Sequence, residues 1–246
     1  MRTLLICIFS CLSLSAFASP TKYVYNVTQN EVVLDCESET IRPIASVTKL
    51  MTALVVLDSN QDMSEKLNFR GFGKRKLNRE EVLKLMLVRS DNRAAEILAK
   101  NYPGGRPAFI REMNLKAVSL GMTRTKYEDP SGISSNNIST ARDLTRLLVH
   151  SYSYNPVRDI TSKASYNVDV ESKKKKHKTV TVNNTNRNLL TEFNEIEISK
   201  TGTTSAAGKC LAMVVTRNGS HYVVVILGER NKKSIENVSR KILVTL

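Results

Sequence analysis

Segments in which apolar and polar residues alternate lie at both ends of this chain, and helical periodicity fills most of the stretch between them. Lys22–Val27 and Glu31–Cys36 flank Thr28-Gln-Asn30 and read as a hairpin. Near the other end come Ile196–Thr201, Cys210–Thr216 and Tyr222–Leu227. Asn218-Gly219, a strong two-residue turn signal, sits between the last two. Strands joined by short turns pair antiparallel, whereas parallel pairs need long crossovers. The pattern therefore predicts an α+β fold: one antiparallel sheet of about five strands, built from both chain ends and flanked by helices. A helical subdomain over roughly residues 60–165 is inserted between the sheet segments.

The helical stretches can be placed one by one. Ser46–Leu57 is apolar at most positions, as expected of a helix buried nearly all round. Glu80–Val88 and Asn92–Lys100 flank Arg89-Ser-Asp91, with Asp91 placed to cap the second. Pro107–Leu120 and Thr140–Ser151 read as two more helices, the latter capped by Ser139 or Thr140, and Lys232–Val244 closes the chain. Ser165–Val170 and Lys178–Val182 form a second hairpin with a lysine-rich tip.

Residues 1–18 read as a signal peptide: Arg2, an apolar run from Leu4 to Leu14, and Ala16-Phe-Ala18 as a small-x-small cleavage site. That run is too short to cross a bilayer core of about 30 Å. Residues 19–246 are then one exported domain, and Cys7 and Cys11 leave with the signal. Cys36 and Cys210 remain, and from their surroundings a disulfide or two free thiols are equally open. His150, His177 and His221 stand apart, so no metal site is expected. The net charge of +14 fits electrostatic contact with an anionic wall or membrane surface. Nucleic acid is disfavoured by the signal peptide, the absence of Trp and a basic run without stacking aromatics.

Three short patterns carry chemistry. Ser-x-x-Lys occurs three times, but Ser19–Lys22 lies at the mature terminus and Ser172–Lys175 in a charged turn. Only Ser46 and Lys49 lie on an apolar helix, where a spacing of three puts both side chains on one face. A lysine among Leu50, Met51 and Leu54 loses hydration, its pKa falls, and the neutral amine becomes a base for the adjacent hydroxyl. The plain alternative is a snorkelling lysine one turn into a helix. Ser-x-Asn also recurs, yet Ser90-Asp-Asn92 is held at a helix-to-helix corner that can point a hydroxyl and an amide into a cleft. Lys200-Thr201-Gly202 lies on a strand. Gly202 leaves room for an extended substrate, and Lys200 and Thr201 can hold its carboxylate; an exposed edge-strand lysine is the plain alternative. No Gly-x-Ser-x-Gly elbow and no histidine in a triad-like context is present.

With these motifs in that order, the chain resembles the low-molecular-mass penicillin-binding proteins, the D-alanyl-D-alanine carboxypeptidases and endopeptidases. The likeness runs over roughly residues 22–228. It includes Arg42-Pro-Ile-Ala-Ser-Val-Thr-Lys-Leu-Met-Thr-Ala53, Ser90-Asp-Asn-Arg-Ala-Ala95, Asp129-Pro-Ser-Gly132, Ser139-Thr-Ala-Arg-Asp-Leu144 and Asn184-Thr-Asn186. The branch it is most similar to is the penicillin-binding protein 7 type of D,D-endopeptidase. The resemblance implies the penicillin-binding and serine β-lactamase-like fold, no cofactor, a periplasmic location, peptidoglycan stem peptides as substrates and β-lactams as covalent inhibitors. It implies Ser46 as nucleophile, Lys49 as base and Ser90 as proton relay. Asn92 would bind a substrate amide, Lys200 and Thr201 the carboxylate, and the N–H groups of Ser46 and Thr203 the oxyanion. It also implies that the strands of Cys36 and Cys210 are three apart, about 14 Å, beyond disulfide reach, hence two free thiols.

Two departures stand out. The Ser46-to-Ser90 span is short for the endopeptidase branch, which implies a trimmed cleft lip. Thr203 stands where a bulky, often aromatic residue is expected. Two other functions compete with a wall-peptide hydrolase. A β-lactamase would need a Glu-x-x-x-Asn loop after Ser90, where this chain has Tyr127-Glu-Asp-Pro-Ser-Gly132. A catalytically inactive wall-binding module would draw on the overall charge and the Lys173–Lys178 run.

Overall fold

The computed structural model describes residues 19–69, 75–171 and 177–246. The signal segment and the lysine-rich tip at 172–176 lie outside them. Strands β1 (Thr21–Asn26) and β2 (Glu31–Cys36) form the first hairpin, followed by a two-residue β3 (Arg42–Pro43). A 3-10 turn over Ala45–Thr48 leads into α1 (Lys49–Asp58). Then come β4 (Lys66–Phe69), β5 (Arg75–Asn78), α2 (Arg79–Val88), α3 (Asn92–Lys100), α4 (Gly105–Ser119), β6 (Ile138–Ser139), α5 (Ala141–Ser151) and α6 (Asn155–Thr161). The last part holds β7 (Ser165–Glu171), β8 (His177–Asn183), α7 (Arg187–Glu192), β9 (Ile196–Thr204), β10 (Gly208–Arg217), β11 (Ser220–Glu229) and α8 (Lys232–Thr245).

The main sheet has five strands in the order β2-β1-β11-β10-β9, every pair antiparallel. Both chain ends meet where β1 zips along β11, with Val24 opposite Val224. The β10–β11 turn places Asn218 at φ 52° and Gly219 at φ 74°, the left-handed pair that a two-residue hairpin turn needs. Central strands are apolar on both faces because both are covered. Val223, Val225 and Leu227 face a cluster with Leu50 and Leu54 of α1, while Val224 and Ile226 face Ile235, Ile242 and Leu243 of α8.

The helices start where their caps lie. Asn78 Oδ1 accepts from the Glu81 N–H at α2, Thr140 Oγ1 accepts from Asp143 at α5, and Asn231 Oδ1 accepts from Ser234 at α8. Thr140, not Ser139, is thus the cap of α5. One boundary needs correction: Ser46 is not in the α-helix but in the 3-10 turn before it. Ala45 has φ 46°, which an α-helix does not allow, so the regular spiral begins only at Lys49. Cys36 is exposed on β2 and Cys210 buried on β10, three strands away, and both are free thiols.

A loop between α4 and β6 braces the turn that carries Ser46. Ile44 N–H donates to Asn137 O, Asn137 Nδ2 donates to Thr48 Oγ1, and Thr52 Oγ1 donates to Pro130 O. Gly132, at φ 84°, lies so close that a Cβ there would sit 1.9 Å from Ala45 O. Gly132→Ala should therefore cost on the order of 3 kcal/mol. Thermal melting of the purified protein should show a fall of about 6–12 °C, and an unchanged midpoint would contradict this packing.

Candidate active site

Four elements converge on one point. Ser46 comes from the buried 3-10 turn, Lys49 from the first residue of α1, Ser90 and Asn92 from the α2–α3 corner, and Lys200 from edge strand β9. Lys49 is 0% exposed. Its Nζ donates to Ser46 Oγ at 2.8 Å, to Asn92 Oδ1 at 2.7 Å and to the Ser131 carbonyl at 2.5 Å. Burial lowers its pKa from the usual 10.5 to about 7, against the opposing pull of Asp129 and Asp91. Once the amine is neutral, two N–H groups can stay on Asn92 and Ser131, and the lone pair is left facing Ser46 Oγ. That arrangement can take a proton from the serine.

The corner is built for position. Asp91 Oδ1 accepts from the N–H groups of Arg93 and Ala94 and caps α3, which frees Ser90 from that task. Ser90 has φ 61°, a left-handed conformation that turns its hydroxyl inward. Lys200 Nζ donates to Ser90 Oγ at 3.0 Å and to Thr201 O at 2.9 Å. Lys200 is 1% exposed, so the reading of an exposed edge-strand lysine fails. Burial, and next the charge of Lys49, hold its pKa well below the usual range. A carboxylate arriving beside it would reverse that balance and favour the charged ammonium. Gly202 lies against the Ser46 turn, and a Cβ there would stand 3.0 Å from Ser46 N. Thr201 and Thr203 line the same cleft, and Thr185 Oγ1 and Thr201 Oγ1 share a 2.5 Å hydrogen bond.

Every residue predicted from sequence as part of the site lies at this convergence. Missing from that reading was the main-chain carbonyl of Ser131. Asp129 sets it in place: its Oδ1 accepts from Ser131 N and Oγ and from Gly132 N, and its Oδ2 from Ser134 N. Burial works against the Asp129 charge, but these donors prevail and its pKa is lowered. Asp129-Pro-Ser-Gly132 was visible in the sequence only as part of a resemblance, because a carbonyl acceptor has no residue type. Neighbouring Glu128 is occupied by Lys126, Ser134 and Asn136. Among the described residues no group of three or more His, Cys, Asp or Glu side chains could hold a metal ion. No described helix is long and apolar enough to cross a membrane.

A sequence profile for D-alanyl-D-alanine carboxypeptidases matches residues 14–231. The chain belongs to that family. It is 37% identical over 223 residues to a D-alanyl-D-alanine endopeptidase of Escherichia coli K12, covering 85% of this chain and 71% of the relative. Identity to the enzyme of that name from Pseudomonas aeruginosa is 40% over 223 residues, again 85% and 71% of the two chains. The fold matches the crystal structure of the Streptomyces K15 DD-transpeptidase with a TM-score of 0.85 at 26% identity, covering 94% of this chain and 98% of the other. Penicillin-binding protein D2 of Listeria monocytogenes in its ampicillin-bound form matches with a TM-score of 0.79 at 28% identity, over 91% and 94% of the two chains. The fold is thus that of the penicillin-binding D,D-peptidases, and the chain is a serine peptidase of the penicillin-binding protein 7 type.

With Lys49 as the proposed base, its pKa of about 7 means that the second-order rate of acylation by a penicillin should rise through an apparent pKa of about 7. Asp91→Asn keeps a helix cap but removes a charge that favours the ammonium. The acidic limb of that profile should move to lower pH by less than about one unit. A limb that stays in place or moves upward would show that this charge is not felt at Lys49.

Proposed function

We propose that the protein is an exported serine D,D-peptidase that cleaves D-alanyl bonds in peptidoglycan stem peptides through an acyl-serine intermediate. The observation that carries this reading is the seat of Lys49, whose two fixed acceptors leave one direction open, toward Ser46 Oγ. Ser46 Oγ attacks the D-alanyl carbonyl while its proton passes to Lys49. The oxyanion forms beside the N–H groups of Ser46 and Thr203, where fixed dipoles in a dry site stabilise it most. Ser90, hydrogen-bonded to Lys200, relays to the leaving amine the proton that Lys49 took up, and Lys200 and Thr201 hold the carboxylate next to it. Asn92 meets a substrate amide along the open edge of β9. Water then releases the acyl group.

A β-lactam presents a carboxylate and a strained amide in the same relation, and acylates Ser46 in place of substrate. Glu128 is occupied by Lys126, Ser134 and Asn136, which sets it apart from the water-positioning glutamate of a β-lactamase. The residues past Ala18 work in the periplasm.

A muropeptide digest tests the activity. Wild-type protein should remove pentapeptide monomers or cross-linked dimers from purified sacculi. Ser46→Ala should do neither, a loss of at least about 10³-fold. A wild type that alters neither class overturns the enzymatic reading. Penicillin should label wild type stoichiometrically and leave slowly; rapid turnover of a chromogenic cephalosporin would favour the β-lactamase instead.

A further inference from the structure

The corner where β11 passes into α8 carries a group of cations that the reaction chemistry does not use. Arg230, Lys232 and Lys233 are all exposed. Lys209 lies beside them, because the ladder sets it opposite Glu229, the residue before Arg230. Lys209, Arg230 and Lys233 make no ion pair with a described residue. The side chain of Lys232 is 70% exposed and reaches, among the described residues, only Glu236 at 3.7 Å. Glu236 is itself shared, accepting from Asn188 Nδ2 at 3.0 Å and lying 3.8 Å from Arg240. Glu229 is 4% exposed and accepts from the Ser234 hydroxyl, which leaves the outer face of the corner cationic.

The fold does not call for these charges. Lys232 and Lys233 stand in the first turn of α8, where aligned backbone dipoles already leave a partial positive charge and cations are unfavourable. No acid accompanies them in that turn. Neutral side chains would serve the helix better. Cations gathered against their own repulsion and against the helix end are matched to an anion outside the chain.

The place of the corner says which anion. Lys209 and Lys232 line the same cavity, of about 390 Å³, as Ser46 and Thr201. A polymer that feeds the cleft therefore lies against the corner as well. A stem peptide held at Ser46 is tethered to a glycan strand bearing further stem peptides, each with free carboxylates. A lipid surface is favoured where cations alternate with apolar side chains that enter the bilayer. None of the exposed large apolar residues described lies between positions 228 and 236, so the corner lacks that part. We infer that Lys209, Arg230, Lys232 and Lys233 form a docking surface for carboxylates of stem peptides neighbouring the one being cleaved. This surface holds the enzyme on the intact wall. The inference rests on the D,D-peptidase reading above and adds to it a contact that the polymer makes and a short soluble fragment does not.

Sedimentation with purified sacculi tests it. The proteins compared carry Ser46→Ala, so that the wall stays intact and binding is read apart from catalysis. Adding Arg230→Gln, Lys232→Gln and Lys233→Gln together should weaken binding about tenfold at about 0.01 M salt, a factor of roughly two to five for each exposed charge pair. At about 1 M salt, where the screening length is about 3 Å, the difference should vanish. Lys209 is kept because it stands across the ladder from Thr203. With Ser46 restored, the triple variant should cleave soluble muropeptides and take penicillin within about twofold of wild type, yet cut intact sacculi about tenfold more slowly. Sacculi whose carboxyl groups have been amidated should bind both proteins equally weakly. Unchanged sedimentation of the triple variant, equal losses on soluble muropeptides and sacculi, or indifference to amidation would each overturn the docking surface. So would a triple variant that loses binding to anionic phospholipid vesicles while keeping its binding to sacculi, which would assign the corner to a membrane. A wild type that takes penicillin but cuts no muropeptide, with the sedimentation difference intact, overturns the peptidase reading and not the surface.

Discussion

A single amine, Lys49 Nζ, is the constraint around which the rest is arranged. Its displacement from 10.5 to about 7 corresponds to roughly 5 kcal/mol of lost preference for the charged form. Nothing in the immediate hydrogen-bond shell offsets that with an opposite charge, since its three partners are a hydroxyl, an amide oxygen and a carbonyl. The offset comes from α1 as a whole. Leu50, Met51, Leu54, Val55 and Val56 are all at most 1% exposed, and burying them contributes on the order of 10 kcal/mol. A helix that is apolar nearly all round can thus carry one reactive lysine into the centre of the molecule, where a surface helix would let it reach water.

The sheet supplies the second half of the arrangement. Because β1 closes onto β11, the strand left at the far edge is β9, and its free edge faces the buried turn instead of bulk solvent. An unpaired edge would ordinarily invite another chain; here it borders a cleft whose other walls are the α2–α3 corner, the Thr185–Leu189 segment and α8. The same strand turns Gly202 toward Ser46 and Thr201 toward the α8 side.

Much of this was legible in the sequence, for definite reasons. Period-two runs at 196–201, 210–216 and 222–227 are long and apolar, and Asn218-Gly219 marks their turn, so β9 to β11 were evident. The buried helix after Ser46 was equally plain from composition. Short elements were not: α7 has six residues, and β4 and β5 have four each, too few for a period to emerge. Asn155-Pro156 is a start signal for α6, a proline in the first turn, with too short a helix behind it for a period to emerge. At the site, side chains with recognisable chemistry were found and main-chain groups were not. Neither the Ser131 carbonyl nor the left-handed backbone at Ala45 and Ser90 is specified by residue type, because alanine and serine seldom adopt it.

Those two backbone angles link folding to reactivity. Ala45, next to Ser46, and Ser90 itself stand at φ 46° and 61°, and neither is glycine. Such conformations persist only where surrounding contacts over-determine them. For Ala45 those contacts are the Asn137 and Gly132 clamp. The region around Ser46 is therefore a stressed joint held shut by its neighbours. A stabilising change that relaxed this joint would loosen the catalytic arrangement at the same time, so robustness in this molecule has to be gained elsewhere, in the sheet or on the outer helices.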